Sequence, residues 1–212
     1  MVWVDEAGST NDVAADIAAR GCPEGTIVLA GSQRTGRGRQ GRAWHSPAGA
    51  NLYCSVVLRP ARPVREWADL SWVIAAAVAS TVRAAGADGV ALKYPNDIVV
   101  DGCKLAGVLL ETRTGAASDP ALIAGVGFNV NLAASDIPRE LRDGATSLGI
   151  LTGRRHDPGE LLAALCGEID LWYATWKEGG APAARGRLAA SGFVITDAGG
   201  GERGALESRP AS

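Results

Sequence analysis

The chain has 212 residues, 47% hydrophobic and 21% charged, the profile of a soluble globular protein long enough to bury a proper core. Its formal net charge of −2 argues against a general nucleic-acid binder, and no apolar run is long enough to span a bilayer. The first residues (MVWVDEAGST) carry acids and lack the regions of a signal peptide, so a cytoplasmic location is expected.

Ser9-Thr10-Asn11-Asp12 has the form of a helix start, a hydroxyl cap followed by an acid three residues on. Val13, Ala14, Ile17 and Ala18 mark one face of that helix, and Gly21 ends it. Residues 26–30 (TIVLA) read as a buried strand leading into GSQRTGRGRQGRAW, where four arginines fall within fourteen residues with no acid among them. Leu52–Leu58 is a second strand, stopped by Pro60. Residues 67–85 form a long amphipathic helix with a wide buried stripe. Short strands follow: Val90–Lys93, a turn at Pro95-Asn96-Asp97, then 98–100 and 104–111 around Asp101-Gly102, a strong hairpin signal. Residues 121–130 (ALIAGVGFNV) are another buried strand with two internal glycines, and 160–176 form a last helix. The expected fold is α+β, a mixed β-sheet covered by helices. Two units are expected: a main domain over 1–177, and a tail over 178–212 that reads as a linker or poorly ordered end, with one short strand at Phe193-Val194-Ile195.

Cys22, Cys54, Cys103 and Cys166 lack CxxC spacing and read as free thiols, and His45 and His156 form no metal motif, so no metal ligand is assigned. Four separated pieces look chemical. In the arginine–glycine loop, glycine lets backbone approach a ligand while arginine supplies charged forks that match phosphate or carboxylate oxygens. In Lys93-Tyr94-Pro95-Asn96-Asp97, a proline-restricted turn fixes polar groups at a strand end. Lys104 leads into an apolar run and wants an anionic partner. Gly125-Val126-Gly127-Phe128-Asn129 allows close approach to a strand. Taken singly each has a plainer reading: a solvated or RNA-contacting loop, a simple turn, an edge-strand lysine, a bulge.

Their order and spacing resemble the bacterial biotin–protein ligases over residues 9–176. The shared landmarks are Ser9-Thr10-Asn11, Gln33, Gly36-Arg37-Gly38-Arg39-Gln40-Gly41-Arg42-Ala43-Trp44, Ala50-Asn51-Leu52-Tyr53, Lys93-Tyr94-Pro95-Asn96-Asp97, Lys104-Leu105-Ala106-Gly107-Val108-Leu109-Leu110-Glu111 and Gly125-Val126-Gly127-Phe128-Asn129. The resemblance implies the class II synthetase-like catalytic domain shared by biotin and lipoate ligases. It also implies a two-step reaction: biotin and ATP give biotinyl-5′-AMP, and a lysine of the biotin carboxyl carrier domain of acetyl-CoA carboxylase or a related carboxylase then takes the biotinyl group. By resemblance Ser9, Thr10 and Gln33, beside Asn11, bond the ureido head of biotin. Arg37 and Arg39, with Gly36 and Gly38 around them, face phosphate and the biotin carboxylate. Lys104 stabilises charge in both steps, so Lys104, Arg37 and Arg39 are the catalytic candidates. Trp44 stacks on adenine, Asn96 and Asn129 fix the nucleotide, and Gly107, Gly125 and Gly127 let the ligand pack on the sheet. Mg²⁺ is expected with ATP, held mainly by phosphates and water; Asp97 is the candidate contact, which the sequence itself does not show. The lid role expected of the loop follows from its glycine content, which leaves little to order it without a ligand.

The sequence departs from the pattern at Tyr94, Gln40 and Phe128, where the family usually has tryptophan, arginine and an aliphatic residue. Only eight residues precede Ser9, so the short form without an N-terminal DNA-binding domain is expected, acting on no nucleic acid and no membrane, as monomer or homodimer. The tail over 178–212 is too short for the small β-barrel that normally follows. The alternatives are a biotin or biotinyl-AMP binding protein impaired in transfer, and a lipoate-type ligase.

Overall fold

The computed structural model describes residues 1–115, 118–197 and 202–203. In chain order the elements are β1 (Val2–Ala7), α1 (Thr10–Ala19), β2 (Ile27–Gln33), β3 (Leu52–Leu58), α2 (Leu70–Ala84), β4 (Val90–Lys93), β5 (Asp97–Val100), β6 (Cys103–Gly115), β7 (Ser118–Phe128), α3 (Leu148–Thr152), α4 (Pro158–Ser191), β8 (Val194–Thr196) and β9 (Glu202–Arg203). Among the described residues the strands form one mixed sheet in the order β1-β2-β3-β7-β6-β5-β4-β8-β9. β1 runs parallel to β2 and β8 parallel to β4, while the other neighbours are antiparallel.

Strand alternation sorts the side chains into two layers. On β3, Cys54, Val56 and Leu58 face the larger core with α2 and α4, while Val57 turns to a smaller core with α1, where Ala14, Ala18, Val28 and Ile123 meet. α2 is apolar nearly all round, and its residues Val73 to Ala79 are almost wholly inaccessible. A helix of that kind must be covered on both sides, here by the sheet and α4. α1 is short and leaves part of its sheet face free. Past its N-terminus Gly107 on β6 and Gly125 and Gly127 on β7 present no side chain to that face, and a cleft opens there.

Local chemistry explains the element ends. Ser9 caps α1 by accepting from the Asn11 amide, and Asp157 caps α4 by accepting from the amides of Gly159 and Glu160, with Pro158 at the first helical position. Asp101 (φ 49°) and Gly102 (φ 78°) form the left-handed pair that the β5–β6 hairpin needs.

Several expectations need correction. β1 has no counterpart among the expected elements, because Trp3 is 60% exposed and acids interrupt its pattern. β2 continues to Gln33, and residues 64–69, including the first expected helical turn, are a 3₁₀ segment (Val64–Asp69) leading into α2. The largest correction concerns the stretch after residue 177. α4 does not end at 176 but kinks at Gly180 and resumes to Ser191, followed by β8. Ala184 and Leu188, one helical turn apart, are buried in the main core together with Phe193 and Ile195, so residues 178–196 are part of the domain rather than a loose end. Positions 198–201 and 204–212 of the expected tail lie outside the described residues.

Candidate functional site

The cleft is built from the first turn of α1, the loop after β2, the β4–β5 turn and the glycine-bearing strands. At its inner end Thr10 offers its backbone amide to Gln33 Oε1 at 2.8 Å, with its hydroxyl 3.2 Å from the same oxygen. Gln33 Nε2 donates to Ser46 Oγ at 3.0 Å. Beneath them the fully buried Ser55 hydroxyl lies 2.6 Å from Asn11 Oδ1 and 2.8 Å from Thr10 Oγ1. Asn11 Nδ2 donates to Glu111 Oε2 at 3.0 Å. Thr10, Asn11, Ser46 and Ser55 are buried, and all are bonded within this network, as buried polar groups must be.

The arginine loop closes one wall. Gly38 N donates to Arg42 O at 2.7 Å and Trp44 N to Gly36 O at 2.9 Å, a short ribbon that Arg37 and Ala43 bridge. The Arg37 guanidinium forks onto both carboxylate oxygens of Asp12, at 2.6 and 2.8 Å, with Glu111 at 3.6 Å. The hydrogen bond to Asp12 raises the Arg37 pKa well above the usual range, and the same bond lowers that of Asp12 below the ordinary carboxylate value. Arg39 Nη1 donates to Asn96 Oδ1 at 2.9 Å. The glycine content predicts a loop with little to order it; instead it has internal bonds and three anchors, at Asp12, Asn96 and the Trp44 ring.

Lys104 Nζ lies 2.7 Å from Asp97 Oδ1, which supplies the anionic partner its apolar context demanded. Asn96 Nδ2 donates to the same oxygen at 2.9 Å. Lys104 Nζ also sits 5.1 Å from the centroid of the Trp44 ring. The strand glycines also make room for neighbouring side chains. A Cβ at Gly127 would fall 2.5 Å from the Trp44 ring, one at Gly107 would fall 3.0 Å from Lys104 Cε, and one at Gly125 would collide with Asn11 Oδ1. They seat site side chains of the protein itself, besides lining the cleft directly.

Thirteen of the expected site residues line one open cleft: Ser9, Thr10, Asn11, Gln33, Arg37, Gly38, Arg39, Trp44, Asn96, Lys104, Gly107, Gly125 and Gly127. A wider outer lobe joins it at Arg39, Trp44, Asn96 and Lys104, and it is lined further by Lys93, Tyr94, Asn129 and Leu141. Asn129 belongs to that lobe, where its amide donates to Thr146 O at 3.0 Å. Gly36 lies behind the wall, where a Cβ would meet Ser46 Oγ at 2.7 Å.

The biotin/lipoate A/B protein ligase family model matches residues 5–129. The chain belongs to that family. It is 38% identical over 171 residues to the biotin–[acetyl-CoA-carboxylase] ligase of Paracoccus denitrificans, covering 78% of this chain and 70% of that one. It is 38% identical over 157 residues to the bifunctional ligase/repressor BirA of Bacillus spizizenii, covering 74% of this chain but 48% of that relative, so it spans about half the length of such curated relatives. Among solved structures, a biotin protein ligase from Aquifex aeolicus in complex with biotin and ATP superimposes with a TM-score of 0.74 at 30% identity, covering 88% of this chain and 75% of that one.

Within this family member the sequence reading misses Asp12, Ser46 and Ser55 as parts of the site, and it names Glu111 only as the end of a shared landmark, without a role. Ser55 has a signal, as a lone hydroxyl in the middle of LYCSVVL, and so does Glu111, an acid closing an apolar run. Asp12 reads locally as a helix-start acid and nothing more.

Proposed function

We propose that this chain activates biotin with ATP and transfers it to a lysine of a biotin carboxyl carrier domain. The observation that carries the reading is the continuity of the cleft: an inner end of paired amides and hydroxyls opens directly onto the cations Arg39 and Lys104 and then onto the outer lobe. The likeness to a ligase solved with biotin and ATP supports it. The ureido head occupies the inner end, beside Thr10 and Gln33. A site built from such groups penalises a ligand that leaves them unpaired. The carboxylate then lies near Lys104 and the triphosphate reaches toward Arg39, with adenine in the outer lobe beside Trp44 and Asn129. The buried Trp44 N–H, which has no acceptor among the described residues, is a donor for that ligand.

In the first step a biotin carboxylate oxygen attacks the α-phosphorus, the bond to the β-phosphate oxygen breaks, and pyrophosphate leaves. Lys104 and Arg39 neutralise the charge that builds on the phosphoryl oxygens. In the second step the carrier lysine amine attacks the acyl carbon of the anhydride, loses a proton and forms an amide, and AMP leaves. The loop wall excludes water from the anhydride. Mg²⁺ belongs to this reading: Asp97, a carboxylate beside a phosphate lobe, suits an ion that takes most of its oxygens from phosphates and water. When bound it supplies further neutralisation of phosphate charge. A cytoplasmic enzyme is implied, where ATP is available.

The test is purified protein with biotin, MgATP and a biotin carrier domain, read by mass spectrometry. A biotinyl mass gain on one carrier lysine, together with biotin-dependent and lipoate-independent ATP–pyrophosphate exchange, is expected. Absence of both carrier modification and exchange overturns the reading.

A further inference from the structure

Two arginines of the loop point to different kinds of partner. Arg37 is held by a carboxylate fork at 2.6 and 2.8 Å with a second carboxylate, Glu111, at 3.6 Å. Arg39 makes one bond of 2.9 Å to a neutral amide, Asn96. A guanidinium that leaves two carboxylates to meet a ligand anion exchanges one charged partner for another. A guanidinium that leaves an amide for a phosphate gains a charge-assisted, bidentate contact. The exchange is therefore favourable for Arg39 and close to neutral for Arg37.

We propose that Asp12 is a positioning residue that latches the glycine-rich loop, through Arg37, onto the turn of α1 bearing Thr10, and that Arg37 serves as the anchor of the loop while Arg39 meets the ligand. The inference rests on the function proposed above for this cleft. Both acids sit on fixed elements: Asp12 is in the first turn of α1, and Glu111 lies on β6, where Asn11 Nδ2 bonds it at 3.0 Å. The loop ribbon is internally bonded from Gly36 to Trp44, so fixing Arg37 fixes the ribbon. On the other side, Thr10 binds Gln33 at the base of the loop. One helical turn thus holds both the entrance of the loop and its middle, and the latch sets how long a ligand stays behind the wall.

The test compares wild type, Asp12→Asn, Asp12→Glu, Arg37→Lys and the charge swap Asp12→Arg/Arg37→Asp. Trypsin cleavage after Arg39 and Arg42 is followed without ligand, and KM for biotin and kcat are measured in ATP–pyrophosphate exchange. Asp12→Asn is expected to raise the cleavage rate and the biotin KM about tenfold, with kcat within about twofold. Asp12→Glu and the swap recover part of both, whereas Arg39→Ala lowers kcat and leaves cleavage after Arg42 unchanged. Wild-type cleavage and KM in Asp12→Asn would overturn the proposal, as would Arg37→Lys lowering kcat as far as Arg39→Ala. Should Asp12→Asn lose its helical circular dichroism, Arg37→Lys carries the same comparison. A wild type without biotin-dependent exchange fails the function reading, while the cleavage comparison still tests the latch.

Discussion

Lys104 is held between a carboxylate 2.7 Å away and an indole ring 5.1 Å away, with Gly107 giving its stem room. Its charge is therefore aimed before any substrate arrives, the condition under which a cation stabilises developing phosphoryl charge most. Lys104→Ala is expected to lower kcat for ATP–pyrophosphate exchange by about 10²- to 10³-fold, as loss of a preorganised electrostatic contact does. An exchange rate within threefold of wild type would sink that role. Gly125 makes a different point at the same scale. Its hydrogen is the space that Asn11 uses to reach Ser55. Gly125→Ala forces Asn11 away and is expected to destabilise the fold by about 1–3 kcal/mol, the range for overpacking a closed site. Urea unfolding measures it, and an unchanged midpoint would contradict the packing described.

At the scale of elements, α4 shows what local reading can and cannot deliver. Gly179-Gly180-Ala181-Pro182 reads as a helix stop, and the helix does break there, with Gly180 at φ 64° and ψ −159°. That backbone region is essentially reserved for glycine. Pro182 then falls in the first turn of the resumed helix, where its missing N–H costs little. The continuation is written only in the spacing of Ala184 and Leu188, a weak signal without knowledge of the core that receives them. Arg62 reinforces the joint: its guanidinium bonds Glu66 at 2.8 Å and Lys177 O at 3.4 Å, and a Cβ at Gly180 would meet it at 2.7 Å. Gly180→Ala is expected to cost about 1–3 kcal/mol through the backbone alone, read as a lower urea midpoint. Strands with clear patterns, such as β3 and β4, are legible to the residue. β1 is not, because an edge strand with its tryptophan in solvent lacks the alternation that marks a half-buried one. The site is legible in its cations and glycines, and illegible in the acids that hold them, since nothing local distinguishes Asp12 from a helix-start acid.

For the molecule as a whole, β3 couples the two layers and carries an alkaline liability. Burial pushes the Tyr53 hydroxyl from its ordinary 10 up to about 12, against hydrogen bonds that favour its ionisation. Burial, with the Cys166 thiol nearby, pushes Cys54 from 9 up to about 12. Each group ionises earlier in the unfolded chain than in the native one. Their stabilisation is complete below the unfolded values and is lost as pH rises from about 9 toward 12, at roughly 1.4 kcal/mol for each tenfold difference in acidity between the two states. Cys54 lies in the larger core, while the Tyr53 hydroxyl is bonded to Asn51 and Pro47 O, so the two ionisations act at separate places on one strand. Urea midpoints are expected to fall steeply between pH 9 and 12, and less steeply in Tyr53→Phe. Equal slopes in the two proteins would remove Tyr53 from the account. At the acid end the sign reverses: Asp12, held low by Arg37, contributes above the ordinary value of 3.8 and its contribution fades as pH falls below it.

Ser55 does not line the cleft, yet it holds two side chains that do. Its hydroxyl carries one hydrogen and lies between two oxygens, Asn11 Oδ1 and Thr10 Oγ1. Asn11 must present its oxygen there, because its amino group is committed to Glu111 and Leu109 O. The Ser55 hydrogen therefore goes to Asn11, and the single Thr10 hydroxyl hydrogen has two oxygens within reach, Ser55 Oγ at 2.8 Å and Gln33 Oε1 at 3.2 Å, while the Thr10 amide also donates to Gln33. The way Asn11 and Thr10 are held at the inner end is thus set one layer down, by a side chain that is not part of the cleft wall.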